Sequence, residues 1–183
     1  MEFPAFVSAL KAFYQDNDQP LRLKPKTTEA DIAAAEQELG FEIDPALKAA
    51  WLAANGGPSY KPVFARQGYL TGYDFLPLQD ALKQWRGLRT RAPRYAGYGQ
   101  PTPRDPRIQD GWFQEGWLPF AGFSAPTLML MLDHTPTAQG RPGQIIAFTH
   151  DPDSIDYVCV DFPTLLAQTL EQIEEDPEDF LEG

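Results

Sequence analysis

Basic residues nearly vanish from the second half of this chain. Up to Arg107 there are 14 basic and 12 acidic residues, but from Ile108 onward Arg141 alone opposes 14 acidic ones, and the formal net charge is -11. Such a molecule repels nucleic-acid phosphates and anionic membranes, so nucleic acid is disfavoured and a basic protein is the natural electrostatic complement. Cysteine is reduced to Cys159, which excludes an intramolecular disulfide and a cysteine-based zinc site. No segment approaches the roughly 18 apolar residues of a membrane span. The start, MEFPAFVSALKAFYQDND, has no basic stretch before a long apolar run as a signal peptide would. The expected location is the cytoplasm.

What the 183 residues do have is 43% hydrophobic and 22% charged composition, enough for one continuous core. Residues 1–183 are therefore expected to form a single domain. Proline is abundant, 18 residues or about twice ordinary usage, and much of it falls between Pro93 and Pro142, which predicts turns and irregular connections there.

Phe3 to Tyr14 reads as an amphipathic helix with Phe6, Val7, Leu10, Phe13 and Tyr14 on one face. In TTEADIAAAEQELG, Thr28 is placed to cap Asp31, Ile32, Ala35 and Leu39 face inward, and Gly40 ends the helix. Asp44 and Pro45 suit the N-cap and first position of a third helix, whose stripe is Leu47, Trp51 and Leu52. Asn55-Gly56-Gly57 follows that helix. A phosphate loop would need its glycines before a helix, with a Lys and a Ser or Thr after them, so the triplet reads as a stop able to take positive φ.

Tyr69 to Phe75 is an aromatic strand candidate, followed by a short helix with Leu78, Leu82 and Trp85 on one side. Residues 86–112 read as an irregular Arg- and Pro-rich surface insertion; from Arg86 to Arg107 it holds six arginines and two tyrosines. Three apolar runs, Thr127 to Asp133, Gly143 to His150 and Asp156 to Phe162, are separated by turn residues, as in an antiparallel meander. Asp161 caps a last helix predicted to bury Leu166, Leu170 and Ile173, and 174–183 is an acidic tail expected to fray. The order of elements indicates an α+β fold.

The segments TTEADIAAAEQELGFEIDPALKAAWLAANGG, YDFLPLQDALKQW, GWLPFA, LMLMLD, GRPGQIIAF and VCVDFPTLLAQTLEQIEED, in this order from about Thr27 to Asp176, resemble the SUKH superfamily, in particular the domain of the fungal Smi/Knr-type cell-wall assembly regulators and their bacterial relatives. The resemblance implies N-terminal helices and a C-terminal helix packed on a mostly antiparallel sheet. It implies protein binding without catalysis and without a cofactor. Many bacterial members neutralise toxins, often nucleases, as immunity proteins, and the fungal ones are regulatory scaffolds. Asn55, Gly56, Gly57, Trp117, Pro119, Asp133, Gly140, Gly143 and Gln144 match as framework positions. The chain departs from the pattern at GFSAPT, 122 to 127, where relatives often have a glycine-rich acidic turn.

GFSAP at 122 to 126 is one residue short of a nucleophile elbow, because proline replaces its last glycine, so Ser124 reads as a turn serine. THDPDSIDYV has aspartates but neither the glycine nor the spacing of a calcium loop; it reads as an acidic hairpin turn rather than a metal site. The arginines of 86–107 are expected to pair with the acidic half of the chain, the alternative being a single-strand-binding surface. Trp51 and Trp85 belong to core faces, while Trp112, beside Gly111 and Phe113, is the tryptophan expected to be exposed. The candidate partner-binding residues are Trp112, Phe113, Tyr95, Tyr98, Asp151, Asp153 and Asp156.

Overall fold

Local capping chemistry sets the second and third helices of the computed structural model, which describes residues 1–69, 72–123 and 125–181. Helix α1, Phe3–Asp16, buries Phe3, Phe6, Leu10 and Tyr14. Helix α2, Glu29–Leu39, opens on a reciprocal box: the Thr28 hydroxyl accepts from the Asp31 amide at 3.1 Å and the Asp31 carboxylate from the Thr28 amide at 3.2 Å. Such a cap is worth about 1 kcal/mol. Asp44 caps α3, Pro45–Ala53, by accepting from the amides of Ala46 and Leu47. Its buried stripe is Leu47, Ala50 and Trp51, with Leu52 only half-buried. Steps of three and four put Ala50, not Leu52, on the inner face.

Asn55-Gly56-Gly57 is a junction as well as a stop. α3 leaves through Ala54 in an extended conformation, and of the three residues only Gly56 takes a positive φ, 93°. A Cβ on Gly56 would lie 2.7 Å from the backbone nitrogen of Pro77, so close backbone approach also demands glycine there. The Asn55 side chain accepts from the amide of Leu78 at 2.8 Å and so caps the following helix, α4, Leu78–Arg91, across 23 residues of sequence.

A five-stranded antiparallel meander follows, in spatial order β1 (Asp74–Phe75), β2 (Trp117–Phe123), β3 (Leu128–Asp133), β4 (Gln144–Thr149) and β5 (Ser154–Cys159). The fold is α+β. Alternate residues build two cores. Leu118, Phe120, Leu130, Leu132, Ile145 and Ala147 face the first, with α1, α3 and helix α5, Phe162–Glu175. Trp117, Met129, Met131, Ile146, Phe148 and Ile155 face the second. Bulges between Pro119 and Ala121 and between Ile145 and Ile146 shift the register in β2 and in the β4–β5 pair. Asp161 caps α5 through the Thr164 amide, and the buried set is Phe162, Leu165, Leu166, Thr169 and Ile173, with Leu170 partly buried.

Three expectations change. The strand over Tyr69 to Phe75 contracts to Asp74–Phe75 plus a bridge between Tyr73 and Phe64, and Leu70 and Thr71 lie outside the described residues. Tyr73 and Phe75 serve the core, where Phe75 packs edge-on to Phe64 at 5.4 Å. The segment 86–112 is not wholly an irregular surface excursion: α4 runs to Arg91, a 3-10 turn covers Ala92–Tyr95, and Leu88, Ile108 and Trp112 lie in the second core. The acidic tail does not simply fray. It forms α6, Pro177–Leu181, and buries Phe180 against Phe13 and Tyr14 at 6.1 and 6.0 Å.

Candidate functional site

The second core has an irregular lid, and polar groups hold that lid in place. Gln144, buried at the start of β4, donates to the carboxylate of Asp133 at 2.9 Å and to the carbonyl of Arg107 at 3.0 Å. The Arg107 carbonyl also accepts from the Thr137 amide, and Gln109 donates to the carbonyl of Pro136. Gly140 is required at this joint because a Cβ would stand 2.5 Å from the Arg107 carbonyl oxygen. Burial raises the pKa of Asp133, and the Thr135 amide and Gln144 oppose that rise. Gly143, at φ 93°, turns the chain into β4. Trp117 faces Asp133 across the ladder and its ring lies in the second core, while Pro119 stands at the β2 bulge.

Beyond these polar ties, the lid is an aromatic cluster. Trp112 lies 5.2 Å from Tyr95, and Tyr95 lies 6.0 Å from Tyr98. The Trp112 indole donates to the carbonyl of Tyr98 at 3.3 Å. Arg104 stands over the Trp112 ring at 5.4 Å and ties the loop by donating to Gln100 and to the carbonyls of Gln109 and Gly111. Burial lowers the pKa of that guanidinium. Tyr95 lines three adjoining clefts of about 390, 260 and 230 Å³. The largest includes Tyr98, Gln100, Arg104 and Trp112; the second is lined by Arg91, Arg94, Tyr98 and Asp153; the third reaches His150 at the β4–β5 turn. His150 and Asp153 meet at 2.6 Å. Burial, and then the Asp153 carboxylate, raise the pKa of the Tyr95 hydroxyl.

The structure thus joins Tyr95, Tyr98 and Asp153, which the sequence separates by more than fifty residues, with Trp112 beneath them. Tyr98 is 66% exposed, but Trp112 is 9% exposed and buried, against the expectation for it, because the lid folds its ring onto Tyr95 and the second core. Phe113 is half-buried and packs edge-on against Trp85 at 5.9 Å, away from the clefts. Asp151 is exposed on the same turn as Asp153. Asp156 lies in β5, occupied by Arg66 at 3.1 Å and by the Ser154 hydroxyl. Ser124 lies outside the described residues.

The arginines do not pair as expected. Arg86 holds Glu38 in the first half and Arg107 holds Asp105 within the segment, so among the described residues Arg89, 3.5 Å from Glu115, is the one arginine of the segment that pairs with the acidic half. Arg91 and Arg94 make no ion pair among the described residues. Reasoning from the sequence missed both, along with Gln100, Arg104 and His150. A signal existed: two arginines and two tyrosines fall within the eight residues from Arg91 to Tyr98, at the end of α4 and on the 3-10 turn and loop that follow it. Among the described residues no three His, Cys, Asp or Glu side chains converge as metal ligands.

The family described as SMI1 / KNR4 family (SUKH-1) matches residues 26–168. That span runs from just before α2 into α5 and takes in the whole sheet, the polar ties and the lid. No curated protein matches the sequence.

Proposed function

The chain belongs to the SMI1 / KNR4 (SUKH-1) family, and from that premise we propose that it is an immunity protein that neutralises a cognate toxin by stoichiometric binding. The family supports a non-catalytic role and interaction with other proteins. The observation that carries the binding reading is the Tyr95–Tyr98 shelf: exposed aromatic surface, ringed by charged groups, on a lid latched to a rigid sheet. Tyrosine and arginine concentrate at the centres of protein interfaces because they bury large area at low conformational cost. The net charge of -11 would steer a basic toxin domain, such as a nuclease, toward the molecule and raise its association rate. Occlusion of the toxin's own working surface then suffices, and neither a cofactor nor a reacting group is needed.

Burial of α1 and α6 residues in the same core as the sheet supports reading 1–183 as one domain. Among the described residues no helix is long and apolar enough to cross a membrane, and a cytoplasmic location suits a protein that intercepts an intracellular toxin. Co-expression with the product of the adjacent gene tests the reading. Rescue of growth together with a single complex on gel filtration is expected. A demonstrably toxic neighbour that still kills, with no complex formed, refutes it. The alternative, a regulatory scaffold of the cell-wall assembly type, takes its support from the SMI1/KNR4 family itself; it predicts a pull-down that recovers envelope or signalling proteins and no toxin.

A further inference from the structure

We infer that the shelf formed by Arg91, Arg94, Tyr95 and Tyr98 docks a short acidic, aromatic-bearing segment of a partner protein. This rests on the protein-binding reading only in requiring a protein partner, and it holds whether that partner is a toxin or a regulated protein. The 3-10 turn after α4 and the cleft of about 260 Å³ that all four line place two cations and two rings on one surface.

The charge balance there is unfinished. Arg86, Arg89 and Arg107, from the same segment, each hold a carboxylate, whereas Arg91 and Arg94 hold none among the described residues. The carboxylate that shares their cleft, Asp153, is engaged by His150 at 2.6 Å. Arg91 lies back over Gly87, where a Cβ would stand 3.0 Å from its Nη1, and its Nη2 is buried without a hydrogen-bond partner. Arg94 is exposed, and a carboxylate arriving in the cleft gives it the charged partner it lacks. The rings supply the second half of the recognition. Trp112, Tyr95 and Tyr98 rise from buried to 66% exposed, so a partner's aromatic side chain on Tyr98 extends the aromatic cluster.

Flanking charge selects the kind of anion. Asp110 borders the largest cleft and Asp153 the cation-lined one, and Arg104 in the largest cleft is tied to the carbonyls of Gln109 and Gly111, so the free basic surface is two residues wide with acid at its margins. A single-stranded nucleic acid needs a continuous basic groove for successive phosphates. One or two carboxylates fit, and a phosphate chain does not. Because the whole molecule carries -11, the acidic motif is a local feature of a partner that is otherwise neutral or basic.

The test is an amide chemical-shift titration of the full chain with three probes. The first is a capped peptide with one tryptophan between two aspartates, the second the same peptide with lysines, and the third oligothymidylate. The acidic peptide is expected to give saturable shifts confined to residues 91–100 and 150–153, weakened by about tenfold or more in Arg94→Glu and in Tyr98→Ala. Both positions are exposed, and an unchanged urea midpoint verifies that each variant is folded. Absence of saturable shifts, equal binding by the variants, or equal or tighter binding of the lysine peptide or the oligonucleotide at those amides overturns the inference. Failure of co-expression to protect cells leaves this titration unaffected, and a failed titration leaves any observed protection standing.

Discussion

The two faces of the sheet are covered by different means. On one face, helices α1, α3 and α5 pack a dense aromatic core: Phe120 meets Phe64 and Phe162 edge-on, each at 5.5 Å, and Phe64 stacks on Phe6 at 6.0 Å. On the other, methionines 129 and 131, Ile146 and Phe148 lie under the lid of residues 92–112. Rings in fixed edge-to-face geometry have one good arrangement, while methionine adapts its rotamers to whatever covers it. The helical face therefore holds the fold, and the lidded face carries the groups proposed to meet a partner. α4 joins the two: Leu78, Ala81, Leu82 and Trp85 belong to the first core, and Leu88, three residues on, belongs to the second.

The largest effect expected follows directly. Phe120→Ala removes a fully buried ring from a site that cannot collapse, and should cost about 3–5 kcal/mol, a large share of a typical domain's stability of about 5–15 kcal/mol. Met131→Ala, also fully buried but under the lid, should cost about 2 kcal/mol, the low end for such a change, because the loop above can settle into the space. Urea midpoints measure both. Equal losses would mean that the two faces are equally rigid and would break the comparison.

Much of the helical face was legible in the chain. Thr28, Asp44 and Asp161 cap helices through groups two or three residues away, and interactions that local leave a local signature. The runs LMLMLD and QIIAF announced strands, and in retrospect announced more: an unbroken apolar run leaves no face for water, so a cover over the second face was implied. What could not be read was which segment supplies it. The burial of Trp112 depends on Tyr95 and on β3 and β4, and that of Phe180 on Phe13 and Tyr14; no window of neighbouring residues contains those pairs. The site was half visible for the same reason. Tyr95 and Tyr98 stood out as aromatic residues among prolines, but their meeting with Asp153 depends on the β4–β5 turn reaching the lid.

A second, intermediate effect isolates what holds the lid on. Gln144→Leu keeps similar volume but leaves the Asp133 carboxylate and the Arg107 carbonyl each without a donor that they now have. Each keeps one other donor, the Thr135 and the Thr137 amide, so the cost is that of the lost hydrogen bonds, about 1 kcal/mol each. The loss should be uneven. Hydrogen exchange across 104–112 is expected to speed up well before that of α1 or α5, since Gln144 links the sheet to the lid and not to the helices. Uniform acceleration in every element would mean that the two faces open as one cooperative unit.

The smallest effect concerns the boundary between the faces, at His134. Its Nδ1–H donates to the Gly116 carbonyl at 2.9 Å, and its Nε2 accepts from the Asp44 amide at 3.1 Å, the residue that caps α3. That pair of contacts requires the neutral ring, and burial lowers its pKa below the ordinary histidine value. An unfolded chain takes up the proton near pH 6.5, while the folded chain resists until lower pH. Below that value the unfolded state holds more protons, so the contribution of His134 is complete above pH 6.5 and is lost as pH falls. Asp133 acts with the opposite sign: burial raises its folded pKa, so its contribution is present below the unfolded carboxylate value of about 3.9 and is lost as pH rises through the folded one. The wild-type urea midpoint should therefore fall relative to that of His134→Gln between pH 7.5 and 5.5, a difference that subtracts Asp133 and every other group common to both proteins. Because the Asp44 contact leads to α3, protonation should loosen the helical face at 44–47 and leave the lid at 95–112 protected. Exchange that speeds up in the lid instead would place His134 with the other face.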